Sequence, residues 1–235
     1  TFNYPLNRNI VGESYYSFYG FKTNGIFQTE ADVQAYKSSD GTVIQPNAQP
    51  GDFRWVDAND DGQINADDRV VLGKPLPDWT FGATLNLNWK NFDLLVFGQG
   101  ATGHKIFQGL RRLEISTANW QTKALGRWTG EGTSNDYPRI STSDPNSNFS
   151  NPSDFYLEDG DYFRIKTFQI GYTLPKSITD KVALQKARVY VSSNNLITFT
   201  NYTGYDPEIG GNIFGVDRAF YPQARTFMVG VNLGL

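Results

Sequence analysis

The 235-residue chain carries 24 acidic and 21 basic side chains, a formal net charge of −3, and so lacks the basic excess of a nucleic-acid-binding protein. It has no cysteine, which excludes a disulfide framework and thiol chemistry. Aromatics make up 15% of the residues and stand beside 23 glycines and 11 prolines, a balance that favours strands and turns over helices. The length fits one large β domain or two small ones. No apolar run approaches the roughly 20 residues of a transmembrane helix; Leu94 to Phe97 is typical of the longest. The chain begins at Thr1, has no signal peptide, and its only methionine is Met228, so a fragment or a processed product is expected.

In chain order, Thr29-Glu30-Ala31-Asp32 has the form of a capping box and predicts one short helix to about Lys37. The next signal is Asp57-Ala58-Asn59-Asp60-Asp61-Gly62-Gln63-Ile64-Asn65-Ala66-Asp67-Asp68. Oxygen side chains stand at loop positions 1, 3, 5, 9 and 12, with Gly at 6 and Ile at 8, which is the spacing of a calcium loop. Asp57, Asn59, Asp61 and Asp68 would supply side-chain oxygens and Gln63 its carbonyl, with Asn65 ligating directly or through water. Asp68 stands where Glu is usual, so bidentate closure is harder and the site is expected to be weaker or more tolerant of other ions, magnesium included. The competing reading is a solvated acidic turn, where Asp, Asn and Gly cluster anyway. Phe53 to Val56 and Arg69 to Leu72 read as strands rather than flanking helices, so the ion is expected to be structural.

Further on, several segments alternate with period two. Trp79, Phe81, Ala83, Leu85, Leu87 and Trp89 face one way, and Thr80, Gly82, Thr84, Asn86, Asn88 and Lys90 the other. Phe168, Ile170, Tyr172 and Leu174 alternate with Thr167, Gln169, Gly171 and Thr173. Phe227, Val229, Val231, Leu233 and Leu235 alternate with Thr226, Met228, Gly230, Asn232 and Gly234. Half-buried soluble strands read this way, and so do transmembrane strands with one face on lipid. At about 10 to 12 residues these segments are long enough for a tilted membrane crossing. Trp79, Trp89, Tyr162, Phe199 and Tyr202 near their ends would form an interfacial girdle. Six or seven long strands are predicted, with Lys90-Asn91-Phe92 as a short turn. Leu174 to Leu184 reads as a longer link with some helical content. Residues 104–151, weakly helical over 106–114, and residues 202–221 read as long irregular connections, which are usually functional.

Other motifs carry less. Gly98-Gln99-Gly100-Ala101-Thr102-Gly103 matches a dinucleotide fingerprint but has no βαβ context, and its glycines fit a barrel bend better. His104, the one histidine, has no nucleophile pattern around it. Glu158, Asp159 and Asp161 read as a solvated loop rather than glycosidase carboxylates. Trp120, Trp128 and Tyr137 could stack on a sugar, although loop packing suits each better.

Several segments together resemble SusC/RagA-type TonB-dependent outer-membrane transporters. They are Gly51-Asp52-Phe53-Arg54-Trp55-Val56-Asp57, Arg69-Val70-Val71-Leu72-Gly73-Lys74-Pro75, Pro77-Asp78-Trp79-Thr80-Phe81-Gly82, Leu157 to Lys166, Gly171-Tyr172-Thr173-Leu174-Pro175 and Tyr202-Thr203-Gly204-Tyr205-Asp206-Pro207-Glu208. The resemblance implies an all-β fold, an antiparallel transmembrane β-barrel segment of a larger, roughly 22-stranded barrel with long extracellular loops. On it, residues 1–235 are the C-terminal portion of the barrel, with the plug and the earlier strands absent. It further implies import of an oligomeric nutrient, glycan or peptide, across the outer membrane of a Gram-negative bacterium. The partners it implies are the remaining barrel and plug, a SusD-like surface lipoprotein as lid, the TonB complex acting through the plug, and outer-membrane lipid; nucleic acid and enzymatic chemistry are not expected. The alternative is a soluble calcium-stabilised β-sandwich such as a carbohydrate-binding module.

Overall fold

The computed structural model describes residues 4–111, 118–209 and 215–234. Two kinds of β structure follow from two kinds of sequence, and they divide the chain into two compact units. One comprises Thr1–Leu76, Lys105–Glu158 and Gly211–Ala219; the other comprises Pro77–His104, Asp159–Gly210 and Phe220–Leu235.

The first unit is made of short strands around aromatic clusters. Strands β1 (Asn7–Arg8), β2 (Ser17–Gly20) and β5 (Val70–Gly73) form one small sheet, and β3 (Thr23–Ile26) pairs with β4 (Phe53–Trp55). Strand β8 (Lys105–Gln108) lies between β9 (Leu157–Asp159) and β12 (Val216–Asp217), which it meets in parallel. Three buried apolar clusters result: Phe18, Phe107, Tyr156 and Val216; Phe21, Ile26, Phe53 and Trp55; and Phe27, Val33 and Ala48. Val33 reaches the third cluster from helix α1 (Glu30–Ala35), whose start is fixed as predicted by a reciprocal Thr29 and Asp32 capping box. Asp52 sits fully buried against these clusters and is held by Arg139 Nε at 2.7 Å and Arg139 Nη2 at 3.1 Å, with Asn148 Nδ2 at 2.8 Å. A buried carboxylate is tolerable only when paired and hydrogen-bonded in this way.

The second unit is one antiparallel sheet of five long strands in the order β13-β11-β10-β7-β6. They are β6 (Trp79–Trp89), β7 (Phe92–Thr102), β10 (Tyr162–Thr173), β11 (Lys186–Thr200) and β13 (Thr226–Gly234). Lys90, at φ 55°, makes the tight β6–β7 turn, and the β10–β11 connection contains helix α2 (Lys176–Thr179) followed by a single 3-10 turn. The register carries one face across every strand. Leu85, Val96, Phe168, Ser193 and Phe227 stand in one row, and Leu87, Leu94, Ile170, Val191 and Val229 in the next. A bulge at Lys166 and Asn195 keeps the outward phase on both sides of it. Eleven residues in β6 span about 37 Å at ~3.4 Å each, or about 26 Å when tilted by about 45°, close to the apolar band of an outer-membrane wall.

Among the described residues of this unit nothing covers the outward face: Val229 is 76% exposed, Leu85 50% and Leu87 50%. A sandwich would bury such a face under a second sheet, whereas all three buried apolar clusters among the described residues belong to the first unit. The sheet is open, with β6 and β13 as edges.

Three expectations change. Five long strands are described rather than six or seven. Residues Lys105–Gln108 form a strand instead of the start of a helix, because β9 and β12 offer pairing edges that local propensity cannot reveal; positions 112–114 of that expected helix lie outside the described residues, as does Leu235. Tyr162 and Tyr202 leave the girdle: Tyr162 shares the inward row with Thr80 and Ala101, and Tyr202 is buried. Phe81, Phe163 and Phe199 stack along the outward face in their place, at centroid distances of 6.2 and 6.4 Å.

Candidate functional site

The six candidate ion ligands are brought into one loop that follows β4, five of them before a short 3-10 turn at Ala66–Asp68 and Asp68 at its end. Gly62 takes φ +82° at the sharp bend, and Ile64 turns into the Phe21, Phe53 and Trp55 cluster. Asp57 accepts from the Asp61 and Gly62 amides at 3.2 and 2.8 Å, and Asp61 Oδ1 accepts from the Gln63 amide at 2.9 Å. The Asn59 and Asn65 side-chain amides both donate to Asp61 Oδ2, at 3.0 and 3.3 Å. Asp68, fully buried, accepts from the Ala58 amide at 2.8 Å and the Asn65 amide at 2.7 Å. Burial raises the Asp68 pKa, against the lowering effect of those two donors, and Asp57 and Asp61 nearby add to the rise. Hydrogen bonds from Asn59 and Gln63 lower the pKa of exposed Asp61. Among the described residues, no three His, Cys, Asp or Glu side chains group as a metal-holding set.

A second constellation, on the inward face of the long sheet, was not singled out as a site in the sequence. Arg164 is buried at the row of Gln99 and Thr198, where its Nη1 donates to Glu208 at 2.9 Å, its Nε to Thr198 Oγ1 at 2.7 Å, and its Nη2 to Asp206. Lys166 and Gln99 also reach Glu208, at 2.6 and 3.2 Å. The segment carrying Asp206 and Glu208 is thereby tied to the inward face. Nearer the other end, Arg188 meets Asp93 through two donors, one at 2.8 Å, and packs over the Tyr190 ring. The signal was present: charges of opposite sign occupy inward phases of strands whose outward phases are apolar.

The first unit contains a groove of about 610 Å³ lined in part by Thr23, Lys123, Asn135, Asp136, Tyr137 and Asp154. Asp154 accepts from the Thr23 amide and hydroxyl at 3.1 and 3.0 Å, and its burial raises its pKa. The expected stacking residues are spent on packing. Tyr137 meets Phe155 edge-on at 5.2 Å, and burial pushes its pKa to about 12. Trp120 lies between Phe149 and the Arg111 guanidinium, and Trp128 donates to Gln28. The glycine motif also has a packing reason. A Cβ at Gly98 would fall 2.5 Å from Phe163, and one at Gly100 2.7 Å from Phe81, so these glycines floor the aromatic row. His104 is half-buried 4.0 Å from Asp161, and this desolvation lowers its pKa.

No family profile matches the chain. Individual proteins do. TonB-dependent receptor P3 of Formosa agariphila is 34% identical over 94% of the chain and 22% of its own length, and receptor P26 of the same organism is 32% identical over 96% and 23%. TonB-dependent receptor SusC of Bacteroides thetaiotaomicron is 26% identical over 81% of the chain and 18% of its length. The chain thus spans about a fifth of the length of these curated relatives. In structure it resembles a chain of the RagAB peptide importer in its open-open state, with TM-score 0.67 and 22% identity over 100% of this chain and 25% of that one. These relatives are receptors and a transporter, not enzymes.

Proposed function

Since this chain is similar over nearly its whole length to TonB-dependent receptors of the SusC/RagA type, we propose that it forms part of the barrel wall of an outer-membrane nutrient importer in a Gram-negative bacterium. The observation that carries the reading is the sheet register, which sets a predominantly apolar face against a largely polar, charge-paired one. An open sheet in lipid leaves backbone groups unpaired, so further strands of the same receptor continue from β6 and β13, and a plug elsewhere in that receptor couples to the TonB complex. The cargo is an oligomeric nutrient, glycan or peptide, delivered beneath a SusD-like lipoprotein lid. The groove lined by Thr23, Lys123, Asn135 and Asp154 offers hydrogen-bonding groups to such a cargo. No bond is made or broken in this function. Deleting the receptor, or disabling TonB, should abolish growth on at least one oligosaccharide or oligopeptide supplied as sole nutrient. Unimpaired growth on every member of a broad panel would contradict the reading.

We further propose that residues 57–68 hold calcium as a structural clamp. The glycine bend, the inward Ile64 and the convergence of Asn59 and Asn65 on Asp61 support this fit. Turning either amide would present its oxygen where its nitrogen now donates, at the cost of the bond that oxygen accepts from the Asp61 or Asp67 amide, at 3.1 and 2.9 Å. Asp57, Asn59, Asp61 and Asp68 would give side-chain oxygens, Gln63 its carbonyl, and Asn65 a direct or water-mediated contact. Magnesium is the weaker candidate, because it prefers near-ideal octahedra and keeps its waters. Oxygen distances of about 2.3–2.6 Å in a structure grown with calcium would support the clamp, and about 2.0–2.1 Å would indicate magnesium. An ordered loop without an ion under those conditions would end the idea.

A further inference from the structure

The two ends of the five-stranded sheet carry opposite charge. At the short-connection end, the Thr173 amide donates to the Asn91 carbonyl at 2.8 Å, so the Lys90 turn and the 174–185 connection lie side by side. Among the described residues this end presents Lys90, Lys176, Lys181 and Lys186, all exposed, against one exposed carboxylate, Asp180; Asp93 is already engaged by Arg188. Among the described residues, none of the four lysines is in an ion pair. The opposite end of the same unit presents the exposed carboxylates Asp78, Asp159 and Asp161, with His104 4.0 Å from Asp161.

Apolar side chains accompany the lysines. Ile178 and Val182 stand four residues apart across α2 and its following 3-10 turn and are 49% and 62% exposed, while Thr179 between them is buried. On the outward face at this end, Trp89, Phe92 and Tyr172 form a contiguous row, with centroids 6.4 and 4.7 Å apart, and Lys90 Nζ lies 4.8 Å over the Trp89 ring. Basic heads beside exposed apolar groups, bordering an apolar wall through an aromatic row, match the boundary between acyl chains and headgroups.

We propose that this end is a docking surface for anionic glycerophospholipid headgroups in the leaflet on the short-turn side. Lys90, Lys176, Lys181 and Lys186 contact headgroup phosphate and Ile178 and Val182 rest at the acyl boundary; the proposal rests on the barrel reading above. Attraction of a lysine to an anionic leaflet is worth roughly fivefold in affinity per residue.

The test uses the complete receptor that contains this chain, reconstituted in bilayers of phosphatidylethanolamine and phosphatidylglycerol, with retained lipid read by native mass spectrometry. The wild type should retain phosphatidylglycerol preferentially. The triple variant Lys176→Gln, Lys181→Gln, Lys186→Gln should lose that preference on the order of a hundredfold, while Lys37→Gln in the first unit leaves it unchanged. If the triple variant fails to fold, the single variants Lys176→Gln and Lys181→Gln, at about fivefold each, decide the matter. Equal retention by wild type and variants, or no preference over phosphatidylethanolamine, overturns the proposal alone. Failure of the wild type to insert into any bilayer overturns the barrel reading and this proposal with it.

Discussion

The two units spend their aromatic and aliphatic residues in opposite ways. In the first, Phe18, Phe21, Phe27, Trp55 and Phe107 are all but fully buried, packed by strands of two to four residues. In the second, strands of 9 to 15 residues leave Trp79, Val229 and Leu233 mostly exposed. Similar residue types thus complete their burial inside one unit and leave it incomplete in the other. The hydrophobic effect is satisfied by protein in the first case and requires another apolar medium in the second.

The largest expected effect breaks the first unit alone. Asp52→Ala strands the Arg139 guanidinium and removes an acceptor from Asn148, and breaking a buried pair of this kind costs about 3–5 kcal/mol. Hydrogen exchange in the complete receptor should show lost protection in Phe53–Trp55 and around Asn148 while β7 and β10 stay protected. Equal loss in both units would erase the distinction between them.

Next comes a substitution that acts on the second unit. Val229→Arg or Leu85→Arg should cost about 2–4 kcal/mol of folding into liposomes if it lies near the bilayer midplane, and Asn86→Arg or Asn232→Arg much less. Comparable costs on the two faces would contradict the lipid assignment. Smaller still, Thr29→Ala removes the α1 cap and should lower first-unit stability by about 1 kcal/mol, read as a shift in its thermal transition.

The smallest effect is local and depends on pH. Asp68 has its pKa raised above the ordinary 3.8, chiefly by burial. Its ionisation therefore opposes the folded loop, and the stability it contributes below 3.8 is lost as pH rises through the raised value. Asp61, lowered by hydrogen bonds from Asn59 and Gln63, contributes above 3.8 and loses its contribution as pH falls through a value below it. Without calcium, amide protection of residues 57–68 should rise as pH drops from neutral toward 3.8 and fall below it. With calcium bound, protection should fall across the upper window too, because protonated ligands release the ion. Identical profiles with and without calcium would remove the clamp.

What the sequence disclosed and what it hid have separate causes. The long strands were legible because each repeats one apolar phase over many residues, as Trp79 to Trp89 does, and register then follows from phase. The capping box and the loop spacing were legible because their contacts lie within a few residues of each other. The first unit's topology was not, since Phe107 meets Phe18 and Val216, and Asp52 meets Arg139, across separations with no local signature. Tyr162 was misassigned to the girdle because its place at a strand end was visible, whereas its phase is set by pairing with Ala101. The Arg164 cluster needed the segment bearing Asp206 and Glu208 to fold back onto the sheet, which no periodicity announces.

The central claim is that the outward face of the long sheet meets lipid. Spin labels placed singly along β13, from Thr226 to Leu233, in the complete receptor reconstituted in a bilayer test it most directly. Collision with oxygen, which concentrates in acyl chains, should peak at 227, 229, 231 and 233, and collision with a water-soluble nickel chelate should peak at 226, 228, 230 and 232. Accessibility without a period of two, or with the two phases exchanged, would contradict the account.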